Sequence, residues 1–165
     1  MQNNTEYAVS VLVPATAAIG FLLYNFPPAK IFLGDAGSTA IGFLSATSMM
    51  VASIENSIPV WVSVMIFSPF IIDATVTLLT RILKKEKFWA AHRTHFYQRL
   101  VTSGLSHRRV VVCEYLLMFT VSCLGIAAAY KTASRPILFF FWLLIFSFAG
   151  FWVNRLTASG REVTY

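Results

Sequence analysis

Asn25-Phe26-Pro27-Pro28-Ala29-Lys30-Ile31-Phe32-Leu33-Gly34-Asp35-Ala36-Gly37-Ser38 forms a short polar turn between two apolar segments. Asp35 can bind a hard cation that bridges phosphate oxygens. Gly34 and Gly37 let a ligand approach the backbone closely. Ser38 reads as an N-cap, with a helix beginning just after it. The first-turn amides of such a helix lack internal partners and suit an anion. Pro27-Pro28 stiffens the entry, Asn25 opens the turn, and Lys30 adds positive charge. The same residues also make an ordinary capped helix start. Gly-Asp-x-Gly-Ser is a weak pattern alone; between apolar spans and beside Pro-Pro-Ala-Lys it is far more specific.

A second stretch runs from Phe88 to Leu100. Read as a helix, it places His92, His95, Phe96 and Arg99 on one face. Phe88, Trp89, Phe96 and Tyr97 give it apolar area for lying on a bilayer surface. His92, His95, Arg93 and Arg99 have the chemistry to contact a diphosphate or a lipid phosphate. A solvated basic interfacial helix is the commoner use of this composition. Zinc is disfavoured, because His107 is the only further histidine and both cysteines lie elsewhere. Asp73 is the only acid well inside an apolar span, and an intramembrane acid is a functional candidate by default. Thr77 and Arg81 share its face. Anchoring the bundle by hydrogen bonds is an equal alternative for Asp73. Glu114 reads as a partner for nearby arginines.

The elements that must position these groups follow from composition. Of 165 residues, 57% are hydrophobic and 12% charged, and mean hydropathy is +0.68. A soluble domain would be about a quarter charged, so the chain is expected to be an all-α integral membrane protein. Five apolar segments, Tyr7–Tyr24, Ser38–Ile54, Ile58–Thr80, Val110–Tyr130 and Pro136–Val153, approach the roughly 17–25 residues that cross a bilayer. A short interfacial helix would sit between the third and fourth. The whole chain reads as one membrane domain, residues 1–165, with functional loops at 25–38 and 81–109. Cys113 and Cys123 would lie roughly 15 Å apart on one helix, too far for a mutual disulfide, and read as small core residues. Met1–Glu6 is polar without Lys or Arg, unlike a secretory signal.

Charge sets an expected orientation. If all five segments cross, one side receives Lys30, Arg81, Lys84, Lys85, Lys87, Arg93, Arg99, Arg108, Arg109, Arg155 and Arg161; the other receives Lys131 and Arg135. That asymmetry places the N-terminus outside and the C-terminus in the cytoplasm. Both chemistry-bearing stretches then fall on the cytoplasmic face. Basic loops are common in membrane proteins without a ligand, so this basicity alone does not imply a phosphate substrate.

Asn-x-Pro-Pro-Ala-Lys-x-Phe-Leu-Gly-Asp-x-Gly-Ser resembles the signature of the polyprenyl-phosphate N-acetylhexosamine-1-phosphate transferases, glycosyltransferase family 4. These include phospho-MurNAc-pentapeptide translocase and the O-antigen-initiating enzymes. Ser68-Pro69-Phe70-Ile71-Ile72-Asp73-Ala74-Thr75, Arg81 and the 91–100 stretch are similar too. The resemblance implies transfer of a sugar 1-phosphate from a UDP-sugar to polyprenyl phosphate in a bacterial inner membrane. Such transfer starts O-antigen, lipopolysaccharide or wall-polymer synthesis. It implies Mg²⁺, or Mn²⁺ in its place, with Asp35 as metal ligand. Asn25, Lys30, Gly34, Gly37, Ser38 and Arg99 would bind substrate. His92 and His95 would match the outer members of the family's His-x-His-His loop, with Thr94 replacing the middle one and Arg93 a substitute phosphate donor. No nucleic-acid partner is implied, and a homodimer is allowed.

The family also carries an Asp-Asp-x-x-Asp and an Asp-Gly-x-Asp-Gly motif in earlier loops. Asp35 and Asp73 are the only aspartates here, so neither motif exists in this chain. The resemblance therefore implies the C-terminal part of such an enzyme, inactive alone. Two other readings compete: a non-catalytic membrane module binding anionic lipid or nucleotide, and a transporter subunit with Asp73 as an ion-coupling acid. The transporter would need more buried charges than these spans carry.

Overall fold

The computed structural model describes residues 2–55, 58–87, 89–90, 94–130 and 135–159, without side-chain detail at 2–4 and 158–159. His92, Arg93 and Phe88 fall outside the described residues. The helices are α1 (Gln2–Asn25), α2 (Gly34–Ile54), α3 (Val60–Leu83), α4 (Phe96–Thr102), α5 (His107–Tyr130) and α6 (Arg135–Ser159). All except α4 are long and apolar enough to cross a membrane. No strand occurs among the described residues, and the chain is an all-α membrane protein. It divides into two compact units, Met1–Val60 and Trp61–Tyr165.

In the first unit α1 packs on α2. The Tyr7 hydroxyl donates to the Ser48 carbonyl at 2.8 Å, a side-chain tie between the two helices. In the second unit α4, α5 and α6 pack on one another. Their shared core is Leu100, Val110 and Val153, with Phe96, Val101, Leu105 and Leu156 around it. Ser68 on α3 is buried and accepts from Trp142 Nε1 on α6 at 3.0 Å. The close approach of α5 to α3 falls at Gly125, where a Cβ would lie 3.2 Å from Ile66 Cγ1. A small residue is the usual means to such an approach between membrane helices.

The helix ends depart from the sequence expectation. Helix α2 begins at Gly34, not after Ser38, and Leu33 occupies the cap position without a side-chain cap bond. Ser38 therefore lies inside the helix, and its hydroxyl donates to the Asp35 carbonyl at 3.1 Å. Helix α3 runs on to Leu83 and closes in a Schellman motif. The Glu86 amide donates to the Arg81 carbonyl at 2.9 Å and the Lys85 amide to the Ile82 carbonyl at 2.9 Å. Lys85 takes the left-handed conformation, φ +56°, where glycine is usual. Arg81 stabilises this turn: Nη1 lies 3.2 Å from Glu86 Oε2 and Nη2 donates to the Lys87 carbonyl at 2.7 Å. Helix α4 ends in the same motif, with Gly104 at φ +101° and the Leu105 amide donating to the Leu100 carbonyl at 3.3 Å. Cys113 and Cys123 are exposed on α5, which corrects their reading as core residues. On a membrane helix, an exposed small apolar side chain faces lipid at little cost.

Candidate functional site

The 25–38 turn is built by its own polar groups. Asn25 ends α1, and its Nδ2 donates to the Ile31 carbonyl at 2.9 Å. The Lys30 amide donates to the Tyr24 carbonyl at 2.8 Å. These two bonds close a loop whose Pro27 and Pro28 have no amide hydrogen to offer. Lys30 is exposed. Gly34 enters α2 at φ +66°, a conformation costly for other residues. Gly37 sits against the Leu33 side chain, only 2.6 Å from a Cβ built there, so its smallness serves local packing as well as any ligand.

Asp35 occupies the first turn of α2 and is exposed. A carboxylate there is favoured by the positive end of the helix dipole. Because no side chain caps α2, that end stays open to an anionic ligand. No group of three or more His, Cys, Asp or Glu side chains that could hold a metal occurs among the described residues. Mg²⁺, however, is commonly held by one or two carboxylates, waters and substrate phosphates. One exposed carboxylate beside an open helix start fits that mode of binding.

The second unit supplies the other candidate groups. Helix α4 begins at Phe96, not at Phe88, and His95 is its N-cap residue, with φ −60° and ψ 151°. Of the face expected to join His92, His95, Phe96 and Arg99, His95 therefore lies outside the helix and only Phe96 and Arg99 lie on it, while His92 falls outside the described residues. A helix from Phe88 was expected from periodicity, but the α3 turn ends in the Schellman motif and an extended His95 breaks the run. His95 instead meets Asp73, ten residues before α3 ends. Its Nδ1 lies 3.3 Å from Asp73 Oδ2. Asp73 Oδ1 accepts from the Phe96 amide at 2.9 Å and from the Thr77 hydroxyl at 3.3 Å. Tyr97 stacks on the His95 ring, with centroids 6.1 Å apart.

Arg99 belongs to the scaffold. Its Nη2 donates to Asn154 Oδ1 at 2.9 Å and Thr157 Oγ1 at 2.8 Å, both on α6, and its guanidinium lies over the Phe96 ring. Phe96 itself turns into the core and not toward a bilayer surface, whereas Trp89 is exposed. Glu114 pairs with no arginine among the described residues. It lines a cavity of about 220 Å³ with Asp73, His107, Tyr97 and Tyr115. A larger cavity, about 490 Å³, lies between α3, α4 and α6, and its lining includes Thr77, Arg81, Lys84, Thr94 and Asn154. Sequence reasoning missed the scaffold duties of Arg81, Asn154 and Trp142. The Lys84-Lys85 and Ser103-Gly104 pairs were the available signals for the two helix stops.

These features define a multi-pass, all-α membrane protein with an acidic helix start and a histidine held by an intramembrane carboxylate. Residues 1–53 match the model of glycosyl transferase family 4. A probable undecaprenyl-phosphate N-acetylglucosaminyl 1-phosphate transferase of Bacillus subtilis is 35% identical over 138 residues, 82% of this chain and 38% of that protein. A decaprenyl-phosphate N-acetylglucosaminephosphotransferase of Mycobacterium tuberculosis is 33% identical over 66% of this chain and 30% of its own length. A phospho-N-acetylmuramoyl-pentapeptide-transferase of Bacillus licheniformis is 31% identical over 75% of this chain and 38% of its length. The chain belongs to glycosyl transferase family 4, in its branch of polyprenyl-phosphate hexosamine-1-phosphate transferases. It spans about a third of the length of these relatives. No solved structure matches it.

Proposed function

We propose that this chain contributes to the transfer of an N-acetylhexosamine 1-phosphate from a UDP-sugar to polyprenyl phosphate, releasing UMP, in the assembly of a bacterial envelope glycan. The observation that carries this reading is the exposed Asp35 in the uncapped first turn of α2, within a turn whose match to the family covers residues 1–53. The three relatives above are all named as transferases of N-acetylated amino-sugar phosphates.

Phosphoryl transfer depends on positioning and charge neutralisation more than on covalent chemistry by the protein. Asp35 would hold Mg²⁺, which when bound neutralises developing charge on the phosphate oxygens. Lys30 and the α2 amides would hold the donor diphosphate. His92 and Arg93 would donate hydrogen bonds to phosphate oxygens, and His95 would offer its Nε2 lone pair to a proton released in the transfer. The lipid acceptor would lie against the apolar spans.

The test is UMP release from radiolabelled UDP-N-acetylhexosamine in membranes containing polyprenyl phosphate. The chain would be assayed alone and joined in frame to the preceding part of the Bacillus subtilis relative. The fusion is expected to release UMP and the chain alone is not, since Asp35 and Asp73 are its only aspartates. A properly inserted fusion without release would defeat the transferase reading and leave a binding module. Robust release by the chain alone would show that no further carboxylates are needed.

The reading also requires both segments to face the cytoplasm. With Cys113 and Cys123 replaced by alanine, a cysteine at Lys85 is expected to be labelled only from the cytoplasmic side. One at Glu55 should react from outside. The reverse pattern would place Asp35 away from its nucleotide substrate.

A further inference from the structure

We infer that Asp73 is a positioning residue that fixes the tautomer of His95 and so decides which imidazole nitrogen is presented to a ligand. The tautomer assignment stands on geometry alone; its consequence for turnover rests on the transferase reading above.

Three contacts converge on one carboxylate. Oδ1 accepts from the Phe96 amide at 2.9 Å and the Thr77 hydroxyl at 3.3 Å, while Oδ2 faces His95 Nδ1 at 3.3 Å. Asp73 thereby satisfies an otherwise orphaned amide at the start of α4 and addresses the ring of the residue before it. An ionised carboxylate can only accept, so Oδ2 calls for a proton on Nδ1. The backbone of the same residue is held separately, with Gln98 Oε1 accepting from the His95 amide at 3.4 Å.

A hydrogen bond to a carboxylate is about twice as strong as one between neutral groups, so Nδ1 carries the proton and Nε2 the lone pair. This gives Asp73 a role distinct from ion coupling and from simple bundle anchoring, because an anchor would be served equally well by an amide.

Asp73→Asn separates these roles. The variant can keep Oδ1 on the Phe96 amide and the Thr77 hydroxyl, and so keep α4 docked. Its NH₂ then replaces Oδ2 and faces Nδ1 as a donor, which calls for a lone pair there, and the proton should move to Nε2.

The experiment uses the full chain in lipid nanodiscs, labelled with ¹⁵N-histidine, at about pH 9, where an ordinary imidazole is neutral. The chain has three histidines, His92, His95 and His107, assignable through His92→Gln and His107→Gln. His95 is expected in the Nδ1–H form in the native chain, in the Nε2–H form in Asp73→Asn, and again in the Nδ1–H form in Asp73→Glu. A native His95 in the Nε2–H form would overturn the inference without recourse to any variant. So would an Asp73→Asn chain that keeps Nδ1–H, or an Asp73→Glu chain that loses it. If Asp73→Asn fails to insert, the native and Asp73→Glu spectra still decide.

The consequence for turnover is read in the fusion. Asp73→Asn should lower kcat by about 10²-fold or more, with KM for the UDP-sugar little changed. It should add nothing to the loss caused by His95→Ala. Normal turnover with a switched tautomer would remove Asp73 from the reaction. An inactive native fusion would instead defeat the transferase reading and leave the tautomer assignment intact.

Discussion

Asp35→Asn in the active fusion is expected to lower UMP release by about 10²- to 10³-fold, the range typical when a key charge-stabilising group is lost from a site. The amide keeps the shape and polarity of the carboxylate and removes only its charge. If Asp35 holds Mg²⁺ through few other protein groups, that charge is most of what the chain offers the cation. Loss of fold cannot account for such an effect. A carboxylate in a first helical turn contributes about 0.3–1 kcal/mol through the helix dipole, and Asp35 is exposed. Thermal unfolding in nanodiscs should therefore shift little. EDTA should silence the unsubstituted fusion reversibly, with restoration by added Mg²⁺. Ser38→Ala is the matched control. The Ser38 hydroxyl is engaged with the Asp35 carbonyl inside the helix, not standing as a cap in front of it. Its removal should cost less than about tenfold, consistent with one neutral hydrogen bond. Normal release by Asp35→Asn would sink the metal assignment.

How far the sequence revealed the fold can be judged element by element. The five spans were legible because hydropathy is a property of whole segments, and each observed helix contains most of its expected segment. The ends were less legible. Helix α2 starts four residues early because a helix can begin at a flexible Gly34 without a capping side chain, and Ser38 looked like a cap only because of its residue type. Helix α3 overran its expected end because Arg81, Lys84 and Lys85 appeared to mark exposed loop. In fact Arg81 folds back on the turn and is buried.

The stretch after α3 misled for a different reason. His92, His95, Phe96 and Arg99 have helical spacing, but spacing cannot show that Asp73, 23 residues away, accepts the Phe96 amide and makes that point the start of the helix. Nor could it show that Arg99 is occupied by Asn154 and Thr157. Asp73 was visible as an odd acid in an apolar span, and both a functional and an anchoring reading were open. Its contacts show one carboxylate bonded to the start of α4 and facing the His95 ring at the same time.

His95→Ala should produce the other large loss, about 10²-fold in UMP release by the fusion. The substitution removes a ring that is about 29% exposed at the side chain, and it leaves a methyl group in the cap position. Two effects then need separating. The first is loss of the proton-accepting imidazole from the reaction. The second is loosening of α4, because a histidine cap is removed and Asp73 Oδ2 loses its partner. The core contacts of Leu100, Val110 and Val153 and the Arg99 ties to α6 are untouched, so α4 should remain docked. Loss of a helix cap costs about 0.5–2 kcal/mol, too little to undock a helix held by those contacts. Hydrogen exchange at the Leu100 and Val101 amides, which lie inside α4, should change far less than turnover does. Glu114→Gln provides the contrast. Glu114 shares a cavity with Asp73 but makes no ion pair among the described residues, so most activity should survive its neutralisation. A His95→Ala fusion that releases UMP normally would confine His95 to capping α4. If Glu114→Gln proved the more damaging change, the acidic cavity, not the His95 ring, would be the part of this unit that the reaction uses.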